Sequence, residues 1–194
     1  TGSTEMGKNL GKIVTERFGK LIMELGGNNA MIVAPSADMK LVIRAIIFSA
    51  VGTCGQRCTT LRRVIAHDSI YDELTKQLKT HYKKIRLGNP LKKDVLVGPI
   101  ISKEAFLKMQ NVLSECKNKG GKVFGGEKIE VVGCNGVYVT PAIVELDKPE
   151  EITKAETFAP ILYILPYKKF DEAIKIQNEV PQGLASCIFS NDLL

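Results

Sequence analysis

The sequence predicts an α/β fold in which helices cover both faces of a parallel β-sheet. Short apolar segments alternate along the chain with longer amphipathic ones, a pattern typical of strand–helix–strand units. Residues 161–165 (Ile-Leu-Tyr-Ile-Leu) form a continuous apolar run, as expected of a strand buried on both faces. Residues 68–85 instead carry apolar side chains three or four positions apart, which is the spacing of one helix face.

The first half of the chain shows a local signal for each predicted element. The predicted elements are, in order, a helix over Met6–Phe18, strands over Leu21–Leu25 and Ala30–Ala34, a helix from Asp38 to Val51, a strand over Arg62–His67 and a helix over Asp68–Ile85. Ser3 or Thr4 supplies the N-cap oxygen of the first helix. The helix ending at Val51 has little polar face, so we expect it to be buried.

The second half opens with a turn-rich connection over Leu87–Pro99 and continues the alternation. The next helix carries Phe106, Met109, Leu113 and Cys116 on one face. After it we predict strands over Lys122–Phe124, Tyr138–Val144 and Ile161–Leu165, a helix over Phe170–Asn178 and a strand over Leu184–Phe189. Because each chain end abuts a predicted element with no capping segment, we expect the sequence to be part of a larger fold.

Composition excludes several classes of protein. The 194 residues are 44% hydrophobic and 25% charged, with a net charge of +6, as in an ordinary globular domain. No apolar run reaches the ~20 residues that a membrane span requires. The basic residues are scattered rather than clustered with aromatic ones, which disfavours nucleic-acid binding. Five cysteines at irregular spacing favour a reducing compartment. We therefore expect a cytoplasmic protein, with a mitochondrial location as the alternative.

The first candidate site is the segment of residues 2–9, Gly-Ser-Thr-Glu-Met-Gly-Lys-Asn, which nearly matches a P-loop. Asn9 stands where a P-loop needs a hydroxyl for Mg²⁺, and no strand precedes the segment, so a nucleotide triphosphatase is disfavoured. Glycines and hydroxyls at a helix N-terminus still suit a phosphate or a pyrophosphate. An ordinary helix cap is the alternative.

The second candidate is the pair Cys54 and Cys58 in a polar, glycine-rich turn after an apolar helix. Such a turn gives access and backbone N–H groups, and Arg57 lowers the energy of a neighbouring thiolate. Cys116 and Cys187 lie in apolar segments, so we expect both in the core. The alternative is that the turn cysteines are structural. Zinc would need two further ligands at matching spacing, so we predict no metal site.

Two carboxylates complete the candidates. Glu24 ends a predicted strand, and the carboxyl ends of strands are where open α/β sheets bind ligands, so Glu24 is a candidate general base. A solvated turn residue is the alternative. Glu156 lies two residues before Phe158 and directly ahead of the buried strand. A carboxylate beside an aromatic ring suits a ribose diol and a planar base.

Taken together and in this order, these segments resemble the aldehyde dehydrogenase superfamily. The matching segments are Gly2-Ser3-Thr4-x-x-Gly7, Glu24-Leu25-Gly26-Gly27, Gly55-Gln56-x-Cys58 and Glu156-x-Phe158-x-Pro160. Asn28-Asn29 and Gly55–Thr60 are most similar to the antiquitin branch, family 7. The resemblance implies the catalytic-domain fold of that superfamily over residues 26–194, incomplete at its C-terminus. It assigns residues 1–25 to the terminal piece of the NAD-binding domain.

The resemblance also implies a mechanism. Cys58 is expected to attack an aldehyde and form a thiohemiacetal, which becomes a thioester once hydride has passed to NAD⁺. Glu24 is expected to activate the water that hydrolyses the thioester. Arg57, beside the nucleophile, suggests a substrate with a carboxylate, which agrees with α-aminoadipic semialdehyde, an intermediate of lysine degradation; a protein carboxylate is the alternative partner.

For the cofactor, the resemblance implies NAD and four contacts. Ser3 is expected at the pyrophosphate, the backbone of Leu25 at the carboxamide, Glu156 at the ribose hydroxyls and Phe158 beside the nicotinamide. The expected partners are a small aldehyde and further copies of the full-length chain in a tetramer, with neither nucleic acid nor membrane.

Two alternatives stay open, and one departure from the family matters. A coenzyme A-acylating enzyme would keep Cys58 but would not need Glu24 as a base. An inert assembly domain would need neither residue. The family's chain is more than twice as long, and its oxyanion-stabilising asparagine lies upstream of this sequence. Losing one oxyanion donor typically lowers the rate about 10²–10³-fold, so we expect this chain alone to be at most a weak dehydrogenase.

Overall fold

The computed structural model describes residues 1–192 and confirms the α/β fold. Its helices are α1 (Thr4–Glu16), α2 (Met39–Val51), α3 (Asp68–Tyr82), α4 (Lys103–Asn118), α5 (Glu151–Lys154) and α6 (Phe170–Asn178). Its strands are β1 (Asn29–Val33), β2 (Leu61–His67), β3 (Lys122–Phe124), β4 (Lys128–Ile129), β5 (Tyr138–Val139), β6 (Ala142–Glu145), β7 (Ile161–Tyr167) and β8 (Ser186–Phe189). A single 3₁₀ turn, Gly52–Gly55, follows α2.

Six strands form the main sheet in the order β3-β6-β7-β2-β1-β8, and β4 and β5 form a separate two-stranded sheet. The pairings of β1 with β2 and β8, and of β7 with β2 and β6, are all parallel. The edge strand β3 runs antiparallel to β6, which differs from the all-parallel prediction. The reason is that the chain returns from β3 to β6 without a crossover helix, and parallel pairing requires such a crossover.

Helices lie on both faces of the sheet, as predicted, and they define two cores. The larger core contains Val42 of α2, Leu74 of α3 and Met109 of α4. The smaller core contains Ile65 of β2 and Ala173 of α6, whereas Val64, the residue before Ile65, lies in the larger core. Alternate residues of one strand therefore enter different cores, because successive side chains of a strand point to opposite faces. No helix among residues 1–192 is both long enough and apolar enough to cross a bilayer.

Helix starts follow the predicted capping residues. The Ser3 hydroxyl accepts the Met6 N–H at 3.1 Å at the start of α1. The Asp38 carboxylate accepts the N–H groups of Lys40 and Leu41 at the start of α2. A side-chain oxygen in either position satisfies N–H groups that have no partner within the helix, so these caps determine where the helices begin.

One predicted strand is absent. Residues 21–25 belong to no helix or strand, and the Glu24 carbonyl accepts a single backbone hydrogen bond, from Gly2 N–H at 3.0 Å. No strand in the described part of the chain lies beside this segment to complete a ladder. The predicted strand over 138–144 is also divided, into β5 and β6. Pro141 lies between them and has no N–H to donate, which is typical of a strand break.

Two burial predictions were wrong. Helix α2 is not buried all round, because Leu41 is 55% exposed and Phe48 is 67% exposed. Cys187 lies on the edge strand β8 and is exposed, although the apolar run around it predicted a core position. Both errors have one cause: apolar composition predicts which residues prefer burial, whereas the neighbouring elements decide which residues are covered.

Candidate active site

The candidate site lies at the amino ends of three neighbouring parallel strands. Gly26–Asn28 precede β1, Cys58 lies three residues before β2, and Glu156–Pro160 precede β7. Because β1, β2 and β7 are adjacent and parallel, the segments before them meet at one edge of the sheet. The sequence argument placed Glu24 at the carboxyl end of a strand. That placement is wrong because residues 21–25 form no strand and the site occupies the opposite edge.

The cysteine segment begins with a left-handed turn. Thr53 and Cys54 have φ angles of 56° and 53°, and Gly55 follows at 66°. Left-handed conformations of residues other than glycine cost about 1–3 kcal/mol each, so surrounding contacts must offset this strain. At Gly55 only glycine fits, because a Cβ would lie 2.5 Å from the Ala159 carbonyl carbon. The turn therefore packs directly against the segment that precedes β7.

Asn29 fixes the backbone on the other side of Cys58. Its side-chain amide donates to the carbonyls of Cys58 and Thr60, each at 2.8 Å, and its side-chain oxygen accepts the Ala185 N–H at 3.1 Å. Gly27 lies so close that an added Cβ would collide with the Cys58 carbonyl oxygen. The glycine therefore permits the close approach, and the asparagine satisfies the carbonyls that it brings together.

The two cysteines of this turn differ in exposure. Cys54 is 1% exposed, and burial raises the pKa of its thiol to about 12. Cys58 is half-buried and lines the cavity described below. Cys116 is fully buried on α4, where burial raises its pKa to about 11. Because the thiolate is the nucleophilic form, we expect Cys54 and Cys116 to be unreactive at neutral pH, whereas Cys58 is the accessible thiol of the turn.

Arg62 connects the cysteine segment to the segment before β7. Its side chain is 2% exposed and donates to the carbonyls of Gly55, Arg57, Thr157 and Ala159 and to the Glu156 carboxylate. The guanidinium also lies 5.5 Å from the centre of the Phe158 ring. Burial lowers the pKa of Arg62, and the charges of Glu156 and Cys58 partly oppose that shift.

The Glu156 carboxylate has one occupied oxygen and one that points to the Gly26 backbone. Oε1 accepts from Arg62 Nη2 at 3.1 Å and from Gly27 N–H at 3.2 Å. Among residues 1–192, no protein donor reaches Oε2, and a Cβ at Gly26 would collide with it. The side chain is 15% exposed, so Oε2 can still accept a hydrogen bond from a bound molecule.

These segments enclose a cavity of about 850 Å³, here called the Cys58 cavity. Five of the sequence-predicted site residues line it: Ser3, Leu25, Cys58, Glu156 and Phe158. Arg57 lines it as well, although its guanidinium turns back to stack on Phe48 at 5.5 Å and to donate to the Phe48 carbonyl. The start of α1 lines one wall, through residues 1–5 and Lys8.

Glu24 is the predicted residue that the structure does not bring into the lining. Its side chain is exposed, while the next residue, Leu25, reaches the cavity and packs against Gly7 of α1. No group of three His, Cys, Asp or Glu side chains that could hold a metal ion occurs within the described residues. The cavity therefore combines a thiol, a carboxylate, an aromatic ring and a helix N-terminus.

Sequence reasoning assigned no role to three residues of this arrangement: Arg62, which it did not name, and Asn29 and Gln56, which it quoted only within motifs. The Gln56 side chain holds the backbone of the turn. It accepts the Ile101 N–H at 2.7 Å and donates to the Thr53 carbonyl at 3.2 Å. The available signal was polarity at buried positions. Arg62 and Asn29 stand at the starts of strands whose other residues are mostly apolar, and buried polar side chains require specific partners.

Comparison with known proteins shows the family to which the chain belongs. All of residues 1–194 match the aldehyde dehydrogenase family. The chain belongs to this family. It is 48% identical over 194 residues to the alpha-aminoadipic semialdehyde dehydrogenase of Bos taurus, covering 100% of this chain and 36% of that protein. It is 44% identical over 192 residues to aldehyde dehydrogenase family 7 member B4 of Arabidopsis thaliana, covering 99% of this chain and 37% of that one.

A solved structure shows the same fold. The betaine aldehyde dehydrogenase of Staphylococcus aureus, crystallised in complex with NAD⁺, has a TM-score of 0.94 and 29% identity, covering 98% of this chain and 39% of that one. The predicted resemblance to the family 7 branch is confirmed by the two relatives above. This aldehyde dehydrogenase chain spans little more than a third of the length of the curated relatives it matches.

Proposed function

We propose that the chain is the catalytic portion of an NAD⁺-dependent aldehyde dehydrogenase that oxidises α-aminoadipic semialdehyde to the carboxylate. The observation that carries the proposal is that Cys58, Glu156, Phe158 and the start of α1 line one cavity. The names of the bovine and rat relatives support the substrate. Arg57 at the cavity wall would suit the substrate's carboxylate if its guanidinium left Phe48 and turned into the cavity.

The residues around the cavity fit a dinucleotide. The N-terminus of the 13-residue helix α1 presents backbone N–H groups and the Ser3 hydroxyl, which suit a pyrophosphate. Glu156 Oε2 is available to a ribose hydroxyl, and the Phe158 ring is 43% exposed beside it. Ser3, Leu25, Glu156 and Phe158 would therefore bind NAD⁺. When bound, the cofactor supplies the acceptor for hydride.

Cys58 makes the oxidation feasible by covalent catalysis. Its thiolate forms a bond to the aldehyde carbon, and the carbonyl electron pair becomes an oxyanion. Return of that pair expels hydride from the same carbon and leaves a thioester on Cys58. A thiolate adduct divides one difficult step into two easier ones, because hydride leaves readily only from a carbon that bears an oxyanion.

Hydrolysis of the thioester requires a base, and Glu24 is the residue we propose. Its carboxylate takes a proton from water as the water oxygen attacks the acyl carbon, and the Cys58 thiolate leaves. Glu24 is exposed beside Leu25, whose side chain lines the cavity, so the carboxylate must turn toward Cys58 to act.

We also propose that residues 1–25 belong to the NAD-binding domain and residues 26–194 to the catalytic domain, of which residues 193 and 194 lie outside the described part. Helix α1 supports this division because Gly7 is its one buried residue among those described, while Ile13 is 62% exposed. Phe18 and Ile22 are 98% and 94% exposed. The full-length enzyme is proposed to be a tetramer in the cytoplasm or the mitochondrion.

Site-resolved alkylation tests the nucleophile. The native chain is treated with limiting iodoacetamide near neutral pH, and labelled peptides are quantified by mass spectrometry against the denatured chain. We expect Cys58 to react well ahead of Cys54, Cys116, Cys134 and Cys187. Equal rates for Cys58 in native and denatured protein would contradict the proposal.

A second measurement tests the covalent step and the base. With NAD⁺ and α-aminoadipic semialdehyde, the Glu24→Gln variant should accumulate a Cys58 peptide whose mass is raised by the acyl group in place of the thiol hydrogen. Glu16→Gln is the matched control, because Glu16 is exposed and does not line the Cys58 cavity, and it should show no more adduct than the unmodified chain. Release of the acyl group by added coenzyme A, and not by water, would favour the acyl-transfer enzyme instead.

A further inference from the structure

We infer that Arg62 is a positioning residue of this active site: its guanidinium fixes the segment carrying Cys58 relative to the segment carrying Glu156. The inference deepens the proposed function and rests on it for the roles of those two residues. Arg62 itself does not line the Cys58 cavity, so it acts through its neighbours and not by contact with substrate.

The hydrogen bonds of Arg62 carry the argument. One terminal nitrogen, Nη1, donates to the carbonyls of Gly55, Thr157 and Ala159 at 3.3, 2.8 and 3.4 Å. The other, Nη2, donates to the Arg57 carbonyl at 3.2 Å and to Glu156 Oε1 at 3.1 Å. Each nitrogen thus contacts both the segment before β2 and the segment before β7. A planar, rigid fork makes such simultaneous contacts, which a lysine ammonium cannot reproduce.

A third segment joins the same network through Glu156. The Oε1 atom that Arg62 binds also accepts the Gly27 N–H at 3.2 Å, next to the Leu25–Gly26 wall of the cavity. One buried guanidinium therefore connects the backbone around the nucleophile, the carboxylate proposed for the ribose and the turn before β1.

Arg63 provides a matched control within the same strand. It is equally buried, at 2% exposure, and also donates to backbone carbonyls. Its partners are the carbonyl of Asn28, just before β1, and those of Ile176 and Gln177 in α6, so none of its bonds reaches the segments that carry Cys58 and Glu156. Replacing either arginine is expected to lower stability, whereas only the replacement of Arg62 is expected to change the site.

The experiment compares Arg62→Lys with Arg63→Lys by the alkylation assay, with Cys134 as the internal reference. In Arg62→Lys we expect Cys58 labelling to slow about tenfold, because small displacements at a reacting group commonly change rates by up to about 10². Cys54 and Cys116 should remain protected. In Arg63→Lys, Cys58 labelling should change less than about twofold. Added ethylguanidinium should restore Cys58 labelling in Arg62→Ala.

The outcomes separate three cases. Unchanged Cys58 labelling in Arg62→Lys, with a reactive Cys58 in the unmodified chain, overturns the inference and leaves the proposed function intact. Exposure of Cys54 and Cys116 together with Cys58 means that Arg62 is merely structural, which also overturns it. An unreactive Cys58 in the unmodified chain rejects the proposed function instead.

Hydrogen exchange tests the inference without any variant, in case neither Arg62 substitution folds. If one guanidinium joins the two segments, backbone amides in residues 55–60 and 156–159 of the unmodified chain should open together. Their protection should then fall in parallel as urea is added. Independent opening of the two segments would overturn the inference, whatever the reactivity of Cys58.

Discussion

Arg62 and Arg63 are neighbours on one strand and are equally buried, yet they serve opposite faces of the sheet. Arg62 lies on one face of β2 and reaches the loops around Cys58 and Glu156. Arg63 lies on the other face and donates to carbonyls of Ile176 and Gln177 in the last turn of α6. Because successive side chains of a strand point to opposite faces, the two arginines contact different elements: Arg62 binds the loops of the site, and Arg63 binds the end of α6.

The comparison teaches where buried charge is placed. Arg63 neutralises the negative end of α6 and satisfies carbonyls that have no partner within the helix. Burial lowers its pKa to about 10, and Glu179 partly opposes the shift. Arg62 instead binds the Glu156 carboxylate, the last residue of the 3₁₀ turn, Gly55, and loop carbonyls before β2 and β7. The carbonyls of Arg57, Thr157 and Ala159 each accept one backbone N–H within their own turns, and Arg62 adds a second donor that comes from another segment.

The largest loss of stability is expected when Arg63 is replaced and its hydrogen bonds to α6 are lost. Arg63→Met leaves the carbonyls of Asn28, Ile176 and Gln177 without their donor, and each buried unsatisfied group costs about 1–3 kcal/mol. We expect the free energy of unfolding to fall by about 4 kcal/mol in urea titrations. A loss below about 1 kcal/mol would show that water replaces Arg63 at these carbonyls.

We expect alkaline pH to lower the free energy of unfolding, because the larger core contains the buried thiols Cys54 and Cys116. The unfolded chain ionises them near the ordinary value of 9.0, whereas the folded chain keeps them protonated to about 12 and about 11. The unfolded state therefore binds fewer protons above pH 9, and stability is lost as pH rises. Each thiol raises the unfolding equilibrium constant roughly tenfold per pH unit.

Urea titrations at pH 8, 9 and 10 under reducing conditions measure this loss. Between pH 8 and 10 we expect the two thiols together to raise the unfolding constant about a hundredfold, or about 3 kcal/mol. Cys116→Ala should remove about one factor of ten from that dependence. The same pH dependence with and without Cys116 would contradict the assignment.

Replacing Asn29 tests how far the backbone around Cys58 depends on a second buried polar side chain. Asn29→Ala removes two bonds to the carbonyls of Cys58 and Thr60 and one from Ala185 N–H, so we expect a loss of about 2 kcal/mol and faster hydrogen exchange around Cys58. Asn28→Ala is the control, because its side-chain amide makes one bond, to the Thr153 carbonyl. The idea fails if Asn28→Ala is the more damaging change.

The smallest effect concerns an exposed arginine. Arg86 pairs with Asp94 at 3.0 Å, but the two side chains are 68% and 62% exposed. Water and salt screen such a pair, so Arg86→Met should change the free energy of unfolding by less than about 1 kcal/mol. A loss comparable with that of Arg63→Met would mean that burial is not what distinguishes the arginines.

Much of the fold could be predicted because its signals are local. Helix α6 matches its predicted range, and α2 begins at its predicted cap, Asp38. The run at 161–165 lies in β7, in the middle of the sheet. The expected strand at 21–25 failed because an extended segment becomes a strand only when a neighbour pairs with it, and pairing is not encoded in its own residues.

For the site, the sequence by itself determined the residue types: a thiol in a glycine-rich turn, a carboxylate and aromatic ring before a buried strand, and a capped helix start. Only the tertiary structure decided that these groups meet at the amino ends of β1, β2 and β7. It also decided that Cys58 reaches the cavity while Cys54 is buried, and that Arg62 rather than Arg63 joins the segments. The physical reason is that burial, ionisation and hydrogen-bond partners depend on residues distant in sequence: Arg62 and Glu156 are 94 positions apart.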